Sequence, residues 1–445
     1  MFSALPVVMN ESRIKVAIAG GGIAGLALAA GLVKKPHIDV HVYESVPEYK
    51  DVGAGLALHL NAIKAMSLIG PEVQQAYLDK ALMMGEEDQV MATEVILAQG
   101  PHSGQLVAEL GKAKGRKTVS RADLLDGLTA LLPRDRISFG KRLVSIKERP
   151  ATSSSGRRAE VLLTFKDGSQ VSADCLLGAD GVHSFTRSYL LGADNPVTAP
   201  KNHDGWRIYR TMVPTEEAVR HINPKWTRSV PILLGPRGHI NCIPLNKNTR
   251  LSAGVAVRTG AEITDEDGQP PPPLDPDLYA DYSADAQQIV RLVARGDTAR
   301  SSWAAADHDH APFYMRGRVA MFGDAAHAAL PFAGNGAAQA LEDAAVLNAL
   351  FGAVEEPGQG IARALHAFDA VRRPRSQAVV DIARTFGRVY AYAEDDMHED
   401  PPRLRAFFDR WAAFTNEFDV AAQNAAALEM FAALGQQEGD SVDGA

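Results

Sequence analysis

Two cysteines, Cys175 and Cys242, in 445 residues are too few for a disulfide framework or a thiolate metal cluster. A reducing compartment is therefore expected, and sulfur-based metal chemistry is excluded. Blocks of basic charge are missing as well. With a formal charge of -8 spread along the chain, no face can be expected to hold a nucleic-acid polyanion. No stretch approaches the roughly 18 uninterrupted apolar residues of a membrane span, so membrane insertion is not expected. Met1–Asn10 lacks a basic n-region and a small-residue cleavage site, and Ser441–Ala445 is neither a prenylation nor a peroxisomal signal. The expected location is cytoplasmic. What is present, 46% apolar and 22% charged residues, suits a globular protein whose length calls for two interlocked domains.

The run Lys15–Ala19 is short, apolar and β-prone, and it leads through glycines into Leu26–Leu32, which has helical composition. Asp39–Tyr43 supplies a second strand ending at Glu44, which completes a parallel βαβ unit. Glu160–Phe165 and Ser169–Cys175 alternate around a Lys166-Asp167-Gly168 turn, as in a hairpin. From Trp206 to Val257 the chain reads as extended segments of a mostly antiparallel sheet, and the prolines after Gln269 mark a loop. Beyond Ala337 the pattern is helical, with amphipathic stretches over 361–393 and 402–434.

Gly20-Gly21-Gly22-Ile23-Ala24-Gly25 fits G-x-G-x-x-G and lies between a strand and a helix, where backbone can approach a pyrophosphate at the helix N-terminus. Gly20, Gly22, Ile23, Ala24 and Gly25 are accordingly assigned to dinucleotide binding. Glu44, at the end of the second strand, is placed to accept hydrogen bonds from the adenosine ribose. This fingerprint alone does not separate NAD from FAD. A second glycine-rich site, Gly323-Asp324-Ala325-Ala326-His327 followed by Pro331 and Gly334-Asn335-Gly336-Ala337, implies a long cofactor and points to non-covalent FAD. Asp324 would hold a ribityl hydroxyl, and Gly334, Gly336 and Ala337 would face the isoalloxazine carbonyls. By itself Asp324 reads equally well as a helix N-cap.

These residues resemble the class A flavin-dependent aromatic monooxygenases of the para-hydroxybenzoate hydroxylase fold, in particular the salicylate-hydroxylase-like branch. The likeness covers nearly the whole chain. Gly178-Ala179-Asp180-Gly181 with Arg187 is similar to that family's central Asp-Gly motif, which ties Asp180 to FAD and NAD(P)H binding. Arg121, in Ser120-Arg121-Ala122-Asp123, resembles the family arginine that reaches the flavin side chain and pyrophosphate. Gly53, Gly55, His59 and Asn61 look like the loop along the flavin edge, with Gly55 giving close backbone approach.

The resemblance implies an α/β fold, with a Rossmann-type FAD-binding domain interlocked with a mainly antiparallel β-sheet substrate domain and C-terminal helices. The expected limits are 12–75, 110–190 and 310–355 for the FAD domain and 76–109 with 191–309 for the substrate domain. Residues 356–434 form the C-terminal helical region and 435–445 a disordered tail. It further implies hydroxylation of a phenolic or salicylate-like aromatic by O2, with NADH or NADPH as transient reductant and a C4a-hydroperoxyflavin delivering the oxygen. Oxidative dearomatisation and decarboxylation are variants. Epoxidation of a larger metabolite, or a flavin-binding redox sensor without catalysis, stays open, as does a homodimer through the C-terminal helices.

A phenol needs a base or cation near its oxygen. Arg210, on the presumed substrate sheet, matches the position of an arginine that salicylate-like relatives present to phenolate or carboxylate, whereas Tyr209 must point to the opposite face. His308 and His310, in Asp307-His308-Asp309-His310, are candidate bases, although alternating Asp and His before Pro312 also read as a solvated loop. No metal site is assigned. Ile243 stands where some dearomatising relatives carry tyrosine.

Overall fold

In a computed structural model, the residues described are 13–49, 55–83, 89–114, 117–151, 158–246, 248–263, 271–296, 301–355 and 358–443. Gly53 lies outside them. Ile14–Ala19 is buried at every position but Lys15, as a central parallel strand covered on both faces must be. It pairs in parallel with Ile38–Tyr43 on one side and Cys175–Gly178 on the other. Among the described residues this sheet has six strands, in the order Met315–Arg316, Val319–Met321, Cys175–Gly178, Ile14–Ala19, Ile38–Tyr43, Ile137–Ser138. The fingerprint helix Ile23–Leu32 and the helix Gly336–Ala353 pack on it and are buried nearly all round between layers, the first of them apolar throughout. The Glu160–Phe165 hairpin forms as the alternation predicts, pairing with Gln170–Ala173 and with Leu143–Arg149.

The second sheet has seven strands among the described residues, ordered Ser302–Ala304, Trp206–Pro214, Arg250–Arg258, Gly238–Leu245, Val230–Gly235, Val90–Leu97, Leu106–Lys114. All its pairings are antiparallel except that of Val230–Gly235 with Val90–Leu97. One face packs on the amphipathic helix Ala284–Ala294; the other looks toward the first sheet. Trp206 is fully buried and packs against Phe332 with tilted rings, 4.3 Å between centroids, which joins this sheet to the loop between the two turns of the second glycine site.

Three expected boundaries shift. Helix Pro71–Lys80 runs through the 75/76 limit and lies against helix Arg121–Thr129 of the FAD side, where Lys80 bonds Asp126. Strand Leu106–Lys114 runs through 109/110, held by its ladder to Val90–Leu97. The tail expected to be disordered from 435 instead continues the last helix, Val420–Asp443. Ahead of it come Gln359–Tyr390, which carries Pro374 inside it, and Pro401–Asn416, started by two prolines at its first positions.

Candidate active site

One cavity of about 910 Å³ spans the junction of the two sheets and meets both glycine turns and the inner face of the substrate sheet. Gly20, with φ +106°, lies so close to the neighbouring strand end that a Cβ would stand 2.2 Å from the Ala179 carbonyl. At Gly25 a Cβ would stand 2.0 Å from the Gly20 carbonyl, so this glycine closes the turn from behind and does not line the cavity. Gly20, Gly22, Ile23 and Ala24 do line it, and at Gly22 a Cβ would meet nothing within 4 Å. The helix N-terminus therefore opens onto free space.

Glu44 faces the cavity from the end of Ile38–Tyr43, oriented by the Gly21 amide (2.6 Å) on Oε2 and by the Val46 amide (2.8 Å) and Ser45 hydroxyl (3.0 Å) on Oε1. Arg121 lines the wall as the first residue of a helix whose cap is Ser120, which accepts from the Asp123 amide at 3.0 Å. Gly323 occupies the N-cap position, so Asp324 is not the cap; it lines the cavity, where desolvation by the surrounding protein raises its pKa against the charges of His327 and Arg121. Gly334, Gly336 and Ala337 line the far side, and at Gly336 a Cβ again meets nothing within 4 Å. Gly55 also lines it, in close approach to Ile243 of the substrate sheet.

Asp180 borders the cavity, but its carboxylate is committed to the turn into helix Phe185–Leu191. It accepts from the Ser184 hydroxyl (2.5 Å), the Thr186 amide (2.9 Å) and the Thr186 hydroxyl (3.1 Å). Arg187 is fully buried beneath and donates to the carbonyls of Val197, Ala325, Ala326 and Asp309. Behind the second glycine site lies a buried charge network. Arg372 bonds Asp343 (2.6 Å) and Glu342 (2.7 Å), Arg375 bonds Glu342 (2.8 Å), and Asp343 in turn holds the Gly323 amide (2.8 Å) and His327 (2.6 Å). Burial alone would raise the Asp343 pKa, but His327 and Arg372 outweigh it and hold the carboxyl at about 2. Asn335, in the Gly334–Gly336 turn, is pinned by Asn61 and Gln339 on its oxygen and donates to Asn416.

Two helix N-termini, the Arg121 guanidinium and the carboxylates of Glu44 and Asp324 thus face a long cavity with clear space at Gly22 and Gly336. This donor set fits FAD: the fingerprint turn and Arg121 suit a pyrophosphate, Glu44 a ribose, Asp324 a ribityl hydroxyl, and the Gly334–Ala337 turn the ring carbonyls.

The substrate half is formed by Arg210, Ile232, His239, Asn241 and Ile243 of the sheet, Phe332 of the loop, and Phe386, Tyr390 and Asn416 of the C-terminal helices. Arg210 lines the cavity as expected, while the Tyr209 hydroxyl bonds the Pro272 carbonyl on the other face. Burial lowers the Arg210 pKa, yet a guanidinium stays charged. Among the described residues no carboxylate pairs with it; its guanidinium lies over Trp303, 5.0 Å from the ring centroid.

His308 and His310 do not belong to this cavity, which corrects their assignment as bases. His308 is buried elsewhere, its backbone tied to the Ala328 carbonyl, and burial together with the Arg187 charge drives its pKa down to about 3. His310 pairs with Asp381 at the surface. The segment instead clasps the long helix: Arg384 forks onto Asp307 at 2.7 and 2.9 Å and also reaches Asp309. Asp307 is thereby paired with an arginine of the long helix.

His239 and Asn241 were missed by sequence reasoning. His239 is held near Phe332 and Tyr390 (5.3 and 5.1 Å between centroids), and burial lowers its pKa to about 3. Its Nδ1 has no hydrogen-bond partner among the described residues. The available signal was the alternation His239, Asn241, Ile243 within an otherwise apolar strand, which puts all three on one face.

Comparison with known proteins agrees with this geometry. Residues 13–383 match the FAD binding domain family. The chain is 34% identical over 431 residues to 6-methylsalicylate 1-monooxygenase of Aspergillus terreus (strain NIH 2624 / FGSC A1156), covering 96% of this chain and 94% of that protein. It is 32% identical over 396 residues to salicylate hydroxylase of Pseudomonas putida, covering 86% and 87%. A solved salicylate hydroxylase substrate complex superposes with a TM-score of 0.76 at 28% identity, covering 94% of this chain and 98% of that one. With both glycine turns, the acid between them and the interlocked sheet in place, the chain belongs to the FAD binding domain family, as an FAD-dependent aromatic monooxygenase of the class that includes salicylate hydroxylase.

Proposed function

We propose that the protein hydroxylates a salicylate-like aromatic acid at the ring carbon bearing the carboxylate. The carboxylate anion, O2, NAD(P)H and two protons would give the corresponding catechol, CO2, water and NAD(P)+. The observation that carries this reading is the single cavity in which the FAD-type donor set opens directly onto a sheet face bearing Arg210. The names of the two relatives, both monooxygenases or hydroxylases of salicylates, support it.

FAD, when bound, supplies electron transfer from NAD(P)H and the activation of oxygen; the chain's own residues do the rest. Arg210 binds the carboxylate or phenolate and favours the ionised form of the acid. His239, kept neutral by its apolar surroundings, accepts a hydrogen bond from the phenol rather than storing its proton. Ile232, Ile243 and Phe386 keep water from the reacting ring. The same reading sets the protein in the cytosol, where NAD(P)H is at hand and the buried thiols of Cys175 and Cys242 stay reduced.

Stopped-flow absorbance of the holoenzyme with NADH or NADPH, with and without salicylate, 6-methylsalicylate and the hydroxybenzoates, tests this. The expected result is flavin reduction accelerated by a salicylate, followed on aeration by stoichiometric catechol and CO2. Reduction at one rate whatever acid is present, with no hydroxylated product, would overturn it.

A further inference from the structure

The cavity face of the substrate sheet carries one row of residues in register across four strands: Arg210 opposite Gly254, Gly254 opposite Asn241, and Asn241 opposite Ile232. Opposed residues of antiparallel strands project to the same side, so Arg210 and Asn241 look into the same space from strands about 10 Å apart. The residue between them has no side chain. A Cβ at Gly254 would stand 2.7 Å from Asn241 Oδ1, which shows that the amide leans across the glycine toward the strand of Arg210. Asn241 is half-buried and lines the cavity. Among the described residues neither its amide nor the Arg210 guanidinium takes a side-chain hydrogen bond or ion pair from the protein.

An amide that lines the cavity without a protein partner keeps its donor and acceptor available to a ligand. We infer that Asn241, with Gly254 as its floor, is a specificity-determining residue that reads a neutral hydroxyl across the ring from the anionic group held by Arg210. This rests on the substrate reading above. An amide both donates and accepts, so it satisfies a hydroxyl in either orientation, whereas a bare ring edge or a methyl leaves it unpaired. The spacing matters too. With the anionic group held at Arg210, a hydroxyl meta or para to it projects along the row to where the Asn241 amide leans across Gly254. The substrate class so defined is a dihydroxybenzoate with one hydroxyl beside the carboxylate and a second one meta or para to it.

The test is the ratio of Kd for salicylate to Kd for 2,4- and 2,5-dihydroxybenzoate, read from the perturbation of flavin absorbance in the holoenzyme, which needs no turnover. Wild type is expected to bind at least one dihydroxy acid roughly tenfold more tightly than salicylate. Asn241→Leu should abolish that preference. Gly254→Ala, whose methyl displaces the amide, should lower it independently, and serves where the leucine variant fails to retain FAD. Arg210→Gln should weaken all the acids together. A wild-type protein with no preference for either dihydroxy acid, or one whose preference survives in both Asn241→Leu and Gly254→Ala, would overturn the inference. A protein that binds with this preference but forms no hydroxylated product overturns the proposed reaction and leaves the role of Asn241 standing.

Discussion

Behind the glycine turns that face the cofactor lies a lattice of buried charges, whereas behind the sheet face that meets the substrate lies hydrocarbon. On the first side Glu342, Asp343, Arg372 and Arg375 bond one another and reach forward through Gly323, His327 and Asn335 to the turns. On the second, the reverse face of the strands bearing Arg210 and Asn241 packs Tyr209, Cys242, Ala253 and Val255 against the helix Ala284–Ala294. The difference separates two tasks. Polar groups already satisfied within the chain fix backbone geometry, and those left for a ligand do the recognising.

The largest effect is expected where the lattice is cut. Arg372→Met leaves Glu342 and Asp343 buried without their shared cation, and removing one partner from a buried pair costs about 3–5 kcal/mol. Chemical denaturation should show a loss of that size, and the purified variant should carry much less FAD per chain. If the flavin content holds while stability falls, the lattice supports the fold but not the turns.

Arg210→Ala probes the other side. Charge-assisted hydrogen bonds to a ligand contribute about 1.5–3 kcal/mol, so kcat/KM for the aromatic acid should fall roughly 100-fold with FAD content unchanged. Parallel loss of flavin would erase the distinction between the halves.

The same division decided what the sequence could reveal. The fingerprint Gly20–Gly25, Glu44 and the Gly323–Ala337 site are local patterns in which strand, turn and helix are consecutive, and all but Gly25 of the residues assigned there line the cavity. Arg210 was found through resemblance and strand parity. His308 and His310 were misread because the partners that define their segment, Arg384 and Asp381, sit more than 70 positions away on the long helix. His239 and Asn241 were missed for a related reason: alternation puts them on one face of Gly238–Leu245, but which face meets the cavity is set by packing against distant elements such as Phe332 and Tyr390. The helix through Asp443 escaped because the polar composition after Gly435 resembles a solvated tail.

Acid should distinguish the halves by pH window. His239 and His308 are both held neutral by burial, with pKa values lowered to about 3. Below about 6.5 the unfolded chain takes up protons that the folded one refuses, so stability falls as pH drops from there toward 3, by about 1.4 kcal/mol per unit for each histidine. Asp343 has the same sign in a lower window: its depressed pKa keeps its contribution intact until pH falls below the usual carboxylate range toward about 2. Urea midpoints between pH 6.5 and 5 should therefore report on the histidines and not on the lattice. His239→Gln should recover about 2 kcal/mol of the loss at pH 5. An unchanged slope in that variant would mean that His239 takes up a proton in the folded state.

The smallest expected effect concerns how Arg210 is aimed. With no carboxylate paired with it among the described residues, its guanidinium lies on the face of Trp303, a residue of the sheet's edge strand that is 37% exposed. A ring holds a guanidinium without neutralising it, which leaves the full charge for the substrate; at an exposed site the contact is worth about 0.5–1 kcal/mol. Trp303→Leu keeps the hydrocarbon and removes the quadrupole, so Kd for the aromatic acid should rise roughly threefold while the flavin spectrum and FAD content stay as they were. Trp303→Phe, which keeps an aromatic face, should fall between the two. Equal Kd values in all three proteins would mean that the sheet alone aims Arg210, and the substrate half would then be preorganised by backbone just as the cofactor half is.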